Sequence, residues 1–358
     1  MFTKLNNLLR NKIFLANLFI LEIISHVFYK VSFEDDLYRD FEINKIVFNQ
    51  ELDLYRTELE SPFNTIIVNL FNIESPDVYA FILYAIFQIT LVLICINLDF
   101  LENYSTLFLF GGWLVSVSWF VGFVENISVL LIILCYKKYF HEKENFLFYF
   151  YLFLFGFNHF GMALFTIIVF LIFSNFKNFW RVLLTTAVSY ASLHFYLKYI
   201  VNFKGRDRFR FIFNQNTVDT GTEFIANNLL TFFWSGFMGL IFILIFIIFN
   251  SELDEIYRYV FALAFAVFAS AIVTDVSRIF TIICIPIILR LIDSFKSFEF
   301  EKNIYEKYLI LLVVMSNFII QERWIYGIVY QSSPNQSLES VYNFFARLIN
   351  SLMKNIWT

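Results

Sequence analysis

Residues 146–174 read FLFYFYLFLFGFNHFGMALFTIIVFLIFS. Crossing the hydrocarbon core of a bilayer takes about 20 apolar residues, so this stretch is either one long tilted helix or two short ones. The charges around it decide. Lys137, Lys138 and Lys143 precede it, and Lys177 and Arg181 follow it. Basic loops mark the cytoplasmic side of a membrane protein, so both ends read as cytoplasmic. A segment that starts and finishes on one side must turn in between, and the sequence Gly156-Phe157-Asn158-His159-Phe160-Gly161 is where the apolar run yields. Two helices, 146–157 and 160–174, are therefore expected, with Asn158 and His159 at a turn facing the opposite side.

The same reading extends along the chain. Of 358 residues, 59% are hydrophobic and 16% charged, with a mean hydropathy of +0.67, against roughly 45–50% apolar in soluble domains. Set beside 10 Gly and 4 Pro, 51 Phe favour helices over turn-rich sheets. In lipid a helix also satisfies each backbone N–H and C=O within its own segment. Apolar runs fall at 13–30, 79–97, 105–121, 127–140, 146–157, 160–174, 179–200, 229–249, 256–273, 277–293 and 305–321. With Lys4, Arg10 and Lys12 placing the N-terminus inside, they predict an all-α, polytopic transmembrane helical bundle of about eleven spans over residues 1–321. The first run is expected to be retained, because no small-residue cleavage site follows it. Residues 31–78 form a long extracytoplasmic first loop carrying short interfacial helices. Residues 322–358 form an extracytoplasmic tail in which Phe344, Phe345, Leu348 and Leu352 fall at helical spacing for an interfacial helix.

Several function classes have no support. The net charge is −4 and no basic arm marks a nucleic-acid surface. Cys95, Cys135 and Cys284 sit inside apolar runs at spacings that fit neither a metal site nor a disulfide scaffold. No phosphate-binding loop, dinucleotide fingerprint, zinc-protease motif or nucleophile elbow appears, and no cofactor or metal is called for.

On the predicted topology the polar clusters gather on the extracytoplasmic side: segment 31–78, Glu125–Asn126, Asn158–His159, loop 201–228, and Thr274-Asp275-Val276-Ser277-Arg278. Connections on the cytoplasmic side are short and hold nothing resembling a catalytic set. The first outer loop contains Glu34-Asp35-Asp36-Leu37-Tyr38-Arg39-Asp40. Carboxylates against an apolar wall are candidates for general bases, since partial desolvation strengthens their pull on a hydroxyl proton; the alternative is a solvated acidic loop. Arg206, Arg208 and Arg210 put positive charge on the side where it is disfavoured. They serve either to bind phosphate through their planar donor forks or to anchor the loop to lipid headgroups. Asp275 and Arg278 lie one helical turn apart and are expected to pair, as a functional or a structural unit. His159 is placed to hydrogen-bond a phosphate or sugar. His26 and His194 lie inside spans as packed or interhelical hydrogen-bonding residues, and His141 is a loop residue without distinguishing context.

An acidic residue close after the first span, then Leu37-Tyr38, a loop containing Leu52-Asp53-Leu54-Tyr55, and Ser61-Pro62-Phe63 before the second span resemble the start of the GT-C superfamily of integral membrane glycosyltransferases. The likeness is greatest to the branch that takes mannose or a related sugar from a polyprenyl phosphate. It implies a catalytic base at Asp36, with Asp35 as its close competitor. The run from Gly122 through Glu125, Asn126 and Leu131 is similar to a Gly-Gln-x-Asn plus leucine run in those enzymes, which places Glu125 and Asn126 near substrate. Glu125 departs from that pattern, and Asn158-His159-Phe160 stands where a lysine-rich turn is expected. The resemblance covers roughly residues 1–180. It implies sugar transfer from a polyprenyl-phosphate donor to a glycan or lipid acceptor at the outer face of a bacterial inner or plasma membrane, within cell-envelope polysaccharide biosynthesis. Asp275, Arg278, His159 and the three loop arginines would bind substrate. The competing readings are an O-antigen-type polymerase or ligase and a lipid-linked sugar transporter.

Overall fold

Several helices in this chain begin where the sequence supplies a cap or a proline. In the computed structural model, α1 (Lys12–Ile23) opens on Asn11, whose Oδ1 accepts from the amides of Ile13 (3.0 Å) and Phe14 (3.4 Å). That satisfies amides which have no partner inside the helix. The structure describes residues 11–28, 41, 45, 62–119, 121, 125–142, 145–201, 215–272, 276–298, 303–320, 322–325, 328–331, 342–343, 345–346 and 349. After α1 come α2 (Pro62–Leu70), a short helix in the first loop, and α3 (Pro76–Asn97), which starts on a proline with Asp77 in its first turn. A 3₁₀ turn (Asp99–Tyr104) leads to α4 (Ser105–Phe108), α5 (Trp113–Trp119) and α6 (Glu125–Tyr136).

The stretch 146–174 folds as two helices, α7 (Phe146–Asn158) and α8 (Phe160–Phe173), with His159 between them. Then follow α9 (Phe179–Phe195), α10 (Gln215–Asn227), α11 (Leu229–Phe237), α12 (Ile241–Asn250), α13 (Leu253–Ala271), α14 (Val276–Ile283), α15 (Ile285–Ser297) and α16 (Asn303–Ile319). The described chain is all-α apart from one antiparallel hairpin, β1 (Glu322–Ile325) and β2 (Ile328–Gln331), in register Glu322↔Gln331 to Ile325↔Ile328. The sequence reading expected only helix in this tail. Two runs rich in β-branched and aromatic residues, Arg323-Trp324-Ile325 and Ile328-Val329-Tyr330, separated by two residues, are a hairpin signal it passed over.

Two helical stretches, Pro76–Asn97 and Leu229–Asn250, each of 22 residues, are long and apolar enough to cross a membrane. Other apolar runs are divided by breaks. A π turn (Tyr196–Ile200) continues α9. Pro286 lies at the start of α15, and its missing N–H ends α14 at Ile283. Even Leu229–Asn250 is interrupted at Met238, where φ is 49° and ψ is −134°. That conformation costs an L-residue about 1–3 kcal/mol, so the surrounding contacts impose it.

Among the described residues, helices α5, α6, α8, α14 and α15 carry no exposed large hydrophobic side chain. They form the centre, with Trp113, Tyr136, Phe280 and Phe295 fully buried among them. The surrounding helices α1, α3, α9, α12, α13 and α16 turn apolar faces outward, with Trp180 at 76% exposure and Phe249 at 81%. Isolated exposed leucines need no explanation, but continuous apolar faces on so many helices mark a surface made for lipid or protein rather than water.

The two ends of the bundle differ. At one end the 99–104 turn, the 137–142 segment and the C-terminus of α15 meet through Lys137–Asp99 (2.5 Å), Lys296–Glu102 (2.8 Å) and His141–Asp293 (2.9 Å). Tyr139 donates to the Lys177 carbonyl there (2.6 Å). The start of α6, the α7–α8 turn and α14 bring Glu125, His159 and Arg278 together elsewhere in the bundle.

Candidate functional site

Arg278 lies one turn into α14, a helix that packs against α5, α8, α11 and α13. Its turn is held from both sides: the Thr281 hydroxyl donates to the Arg278 carbonyl (2.8 Å) and shares a 2.8 Å hydrogen bond with Ser116 of α5. The guanidinium meets Glu125, with Nη1 3.3 Å from Oε1. Glu125 is 2% exposed and the Arg278 side chain 14%. Glu125 occupies the first turn of α6, where the aligned peptide dipoles favour a carboxylate. A buried ion pair costs desolvation on both sides, and breaking it strands a charge. The pair therefore ties α6 to α14 strictly.

The α7–α8 turn closes beside it. Asn158 ends α7 and its Nδ2 donates to Ser128 Oγ of α6 at 3.1 Å. His159 has extended backbone (φ −152°) and serves both helices: its amide donates to the Phe155 carbonyl (2.9 Å), and its Nδ1 accepts from the Met162 amide (3.3 Å). A ring nitrogen that accepts carries no proton. The imidazole is thereby neutral with its hydrogen on Nε2, and it sits close enough to feel the Arg278 charge. Gly156 makes this turn possible, since a Cβ there would lie 2.2 Å from Ser189 Oγ of α9. Asn126 is 3% exposed, and its Oδ1 accepts from the Ile127 amide (2.8 Å).

The cluster is rich in donors. A guanidinium, a neutral imidazole N–H, a carboxamide and serine hydroxyls lie within an apolar bundle, a set that matches the oxygens of phosphate and sugar. Of the residues singled out in the sequence, the structure brings Glu125, Asn126, His159 and Arg278 to adjoining helix ends. Asp35, Asp36, Arg206, Arg208, Arg210 and Asp275 lie outside the described residues, and so does the expected Asp275–Arg278 pairing. The ion-pair partner seen for Arg278 is Glu125. That contact joins two distant parts of the chain and has no local sequence signal, beyond the rule that an ionisable group in an apolar run needs a partner.

Other polar groups lie elsewhere. His26 of the first apolar run bonds across to α3, as expected of an interhelical histidine. His194 stacks on Tyr190 with ring centroids 6.3 Å apart. His141, which the sequence left without context, pairs with Asp293 and packs against Phe100 with ring centroids 4.5 Å apart. It belongs to the network at the end read as cytoplasmic, where nothing of note was expected. There the Tyr136 hydroxyl donates to Asp293 (3.2 Å), Ser294 donates to Glu255 (2.6 Å), and Arg290 approaches Glu255 (3.6 Å). The connections are short, but the helix ends they join are strongly polar. Cys95, Cys135 and Cys284 are free and buried. Among the described residues no group of three or more His, Cys, Asp or Glu could hold a metal ion. Compared with known proteins, the chain matches no family model, no curated protein and no solved structure.

Proposed function

We propose that this chain is an integral membrane glycosyltransferase of the GT-C type. It spans the bilayer about eleven times and moves a sugar from a polyprenyl-phosphate donor to a glycan or lipid acceptor on the extracytoplasmic side. The observation that carries the reading is the buried Glu125–Arg278 pair beside the Asn158–His159 turn. The outward apolar faces of the peripheral helices support a lipid setting. The basic residues Lys137, Lys138 and Lys177 fall at the end that the positive-inside rule assigns to the cytoplasm, which leaves Arg278 on the other side.

In the proposed transfer, the acceptor hydroxyl oxygen bonds to the sugar's anomeric carbon as the bond from that carbon to the donor phosphate oxygen breaks. The hydroxyl proton passes to Asp36, with Asp35 as the competing base, and the lipid phosphate departs with one more negative charge. Arg278 faces that developing charge, aided by Arg206, Arg208 and Arg210. Glu125 holds the guanidinium in place, His159 Nε2–H and Asn126 contact sugar or phosphate oxygens, and Asp275 orients the acceptor. Nothing in the scheme needs a cofactor.

The test is sugar transfer from a synthetic polyprenyl-phosphate donor by the purified chain in liposomes. Arg278→Ala is expected to cut kcat/KM at least 100-fold, equivalent to about 2.7 kcal/mol of transition-state stabilisation. Arg278→Lys retains the charge without the fork and should fall between. Transfer unchanged in a folded Arg278→Ala protein removes the residue from the site.

One further observation favours a second reading, a lipid-linked sugar transporter. The broken stretches 105–119 and 229–250 meet at their interruptions, where the Gly112 amide donates to the Gly236 carbonyl at 3.1 Å. Discontinuous helices that meet inside the bundle are a feature of transporters. Movement of intact donor across the liposome membrane, with no sugar released from its phosphate, would select this reading over the first.

A further inference from the structure

Away from that site, α1 with the π turn that continues it (Ile24–Phe28) shares a second polar cluster with α3. His26 Nδ1 lies 3.2 Å from Glu22 Oε2 and 3.1 Å from the Glu22 carbonyl, with Ser25 Oγ at 2.8 Å. On its other side, His26 Nε2 lies 2.9 Å from the Tyr84 hydroxyl and 3.2 Å from Gln88 Nε2. Two carboxyl and carbonyl acceptors face Nδ1, and a hydroxyl and an amide donor face Nε2. The neutral ring therefore carries its hydrogen on Nδ1 and accepts at Nε2. A carboxylate, an imidazole and a hydroxyl stand in line, the arrangement by which a histidine takes a hydroxyl's proton while a carboxylate balances the new charge.

Its position adds weight, and here the argument rests on the membrane reading. Glu22 stands ten residues beyond Lys12, about 15 Å along the helix, which is near mid-depth. With His26 neutral and Glu22 ionised, the cluster holds one uncompensated negative charge in an apolar setting, where such a charge is costly and marks function by default. One more proton gives an ion pair of no net charge. Among the described residues the neighbouring elements supply no rival cation. On α3, Tyr84 bonds to His26 and Cys95 is a buried thiol. Helices α4 and α5, which pack on this region, contain no charged residue. On α6, Glu125 is taken by Arg278 and Tyr136 by Asp293, and Cys135 is a buried thiol. From the C-terminal segment Phe345 sits edge-on to Tyr84 at 5.6 Å, and Tyr342 is exposed. Glu22 keeps 36% side-chain exposure, and so remains reachable.

We infer that Glu22, His26 and Tyr84 form a proton-binding site inside the bundle, separate from the Glu125–Arg278 site. The Tyr84 hydroxyl proton moves to His26 Nε2 as the tyrosine oxygen takes a proton from outside. The imidazolium then formed is held by Glu22 through Nδ1–H, and Gln88 turns its amide oxygen toward the donors. No bond between heavy atoms changes, and no oxidant or co-reactant is needed.

The test is 15N NMR of the full chain in lipid nanodiscs, labelled at its four histidines, with His26→Gln identifying the His26 signals. The expected result is a neutral, Nδ1-protonated ring at high pH that becomes imidazolium as pH falls. Glu22→Gln should shift that midpoint down by at least one pH unit, a tenfold weaker proton affinity. Tyr84→Phe, which leaves the ring packing in place, should move the Nε2 resonance toward that of a ring with one acceptor contact fewer. A His26 signal constant from pH 4 to 10, or a midpoint the same in Glu22→Gln, overturns the proposal. If Glu22→Gln does not fold, the wild-type titration and Tyr84→Phe decide. None of these readouts depends on sugar transfer, so failure here and failure of the enzyme reading are distinguishable.

Discussion

His159 does two jobs that substitution can separate. Its Nδ1 caps the Met162 amide at the start of α8, while the rest of the ring stands beside Arg278. Asparagine is a strong cap and alanine a poor one, with a difference of about 1 kcal/mol. His159→Asn is therefore expected to keep the thermal midpoint within a few degrees of wild type and still lose most sugar transfer, whereas His159→Ala lowers both. Equal activity in His159→Asn and wild type would reduce the residue to a cap. At this scale the sequence was legible in part. Glu125, His159 and Arg278 stood out because polar residues are conspicuous in apolar runs, but the partner of Arg278 lay on a helix far away in the chain. Only folding reveals such a pairing. Glu22 was not singled out in the sequence, and its meaning came from Tyr84 and Gln88, which meet His26 across the helix interface.

Among the elements, the turn in 146–174 was readable because loop charge demanded it, and glycines bracket it. The two glycines are not equivalent. A Cβ on Gly156 would meet Ser189 Cβ at 2.9 Å, while one on Gly161 meets nothing within 4 Å. Gly156→Ala should cost about 1–3 kcal/mol through overpacking against α9. Gly161→Ala should be neutral or stabilise by up to about 1 kcal/mol from helix propensity. Thermal melts of the two variants side by side measure this, and a reversed order would mean that α7 and α9 are not packed as described. The breaks inside 105–119 and 229–250 were not foreseen, because both runs look continuous in hydropathy. They are forced by packing: a Cβ on Gly112 would lie 1.6 Å from the Ser235 carbonyl, and one on Gly236 would lie 2.4 Å from the Phe280 ring.

The molecule as a whole has two unlike ends, and its charge network is the more testable. Lys296 and Glu102 are partly exposed at 25% and 67%, and pairs of that kind contribute about 0–1 kcal/mol. Asp293 also accepts from Tyr136, which is fully buried, and losing it leaves that hydroxyl unpaired at a cost of about 1–3 kcal/mol. Asp293→Ala should therefore lower the thermal midpoint clearly more than Lys296→Ala. Sidedness is checked by labelling in intact cells with an impermeant thiol reagent. Asp40→Cys and Gln215→Cys should react from outside and Lys177→Cys should not, against a low background from the buried native cysteines. Protection of the first two with reaction at the third would invert the topology. The expected sidedness rests on basic residues that cluster by loop, whereas the polar network at the basic end had no such signal, since its members are drawn from distant helix ends.

The Gly112–Gly236 hydrogen bond also bears on how the chain is made. It joins the amide of the residue just before α5 to a last-turn carbonyl of α11. At synthesis rates of about 5–20 residues per second, Gly112 leaves the ribosome roughly 6–25 seconds before Gly236 exists to receive it. During that interval the nascent 105–119 segment carries bare backbone polarity that lipid cannot solvate. On the proposal that this segment enters the bilayer, biogenesis must shelter it, in the translocation machinery or at the membrane surface, until the second broken helix arrives to complete it.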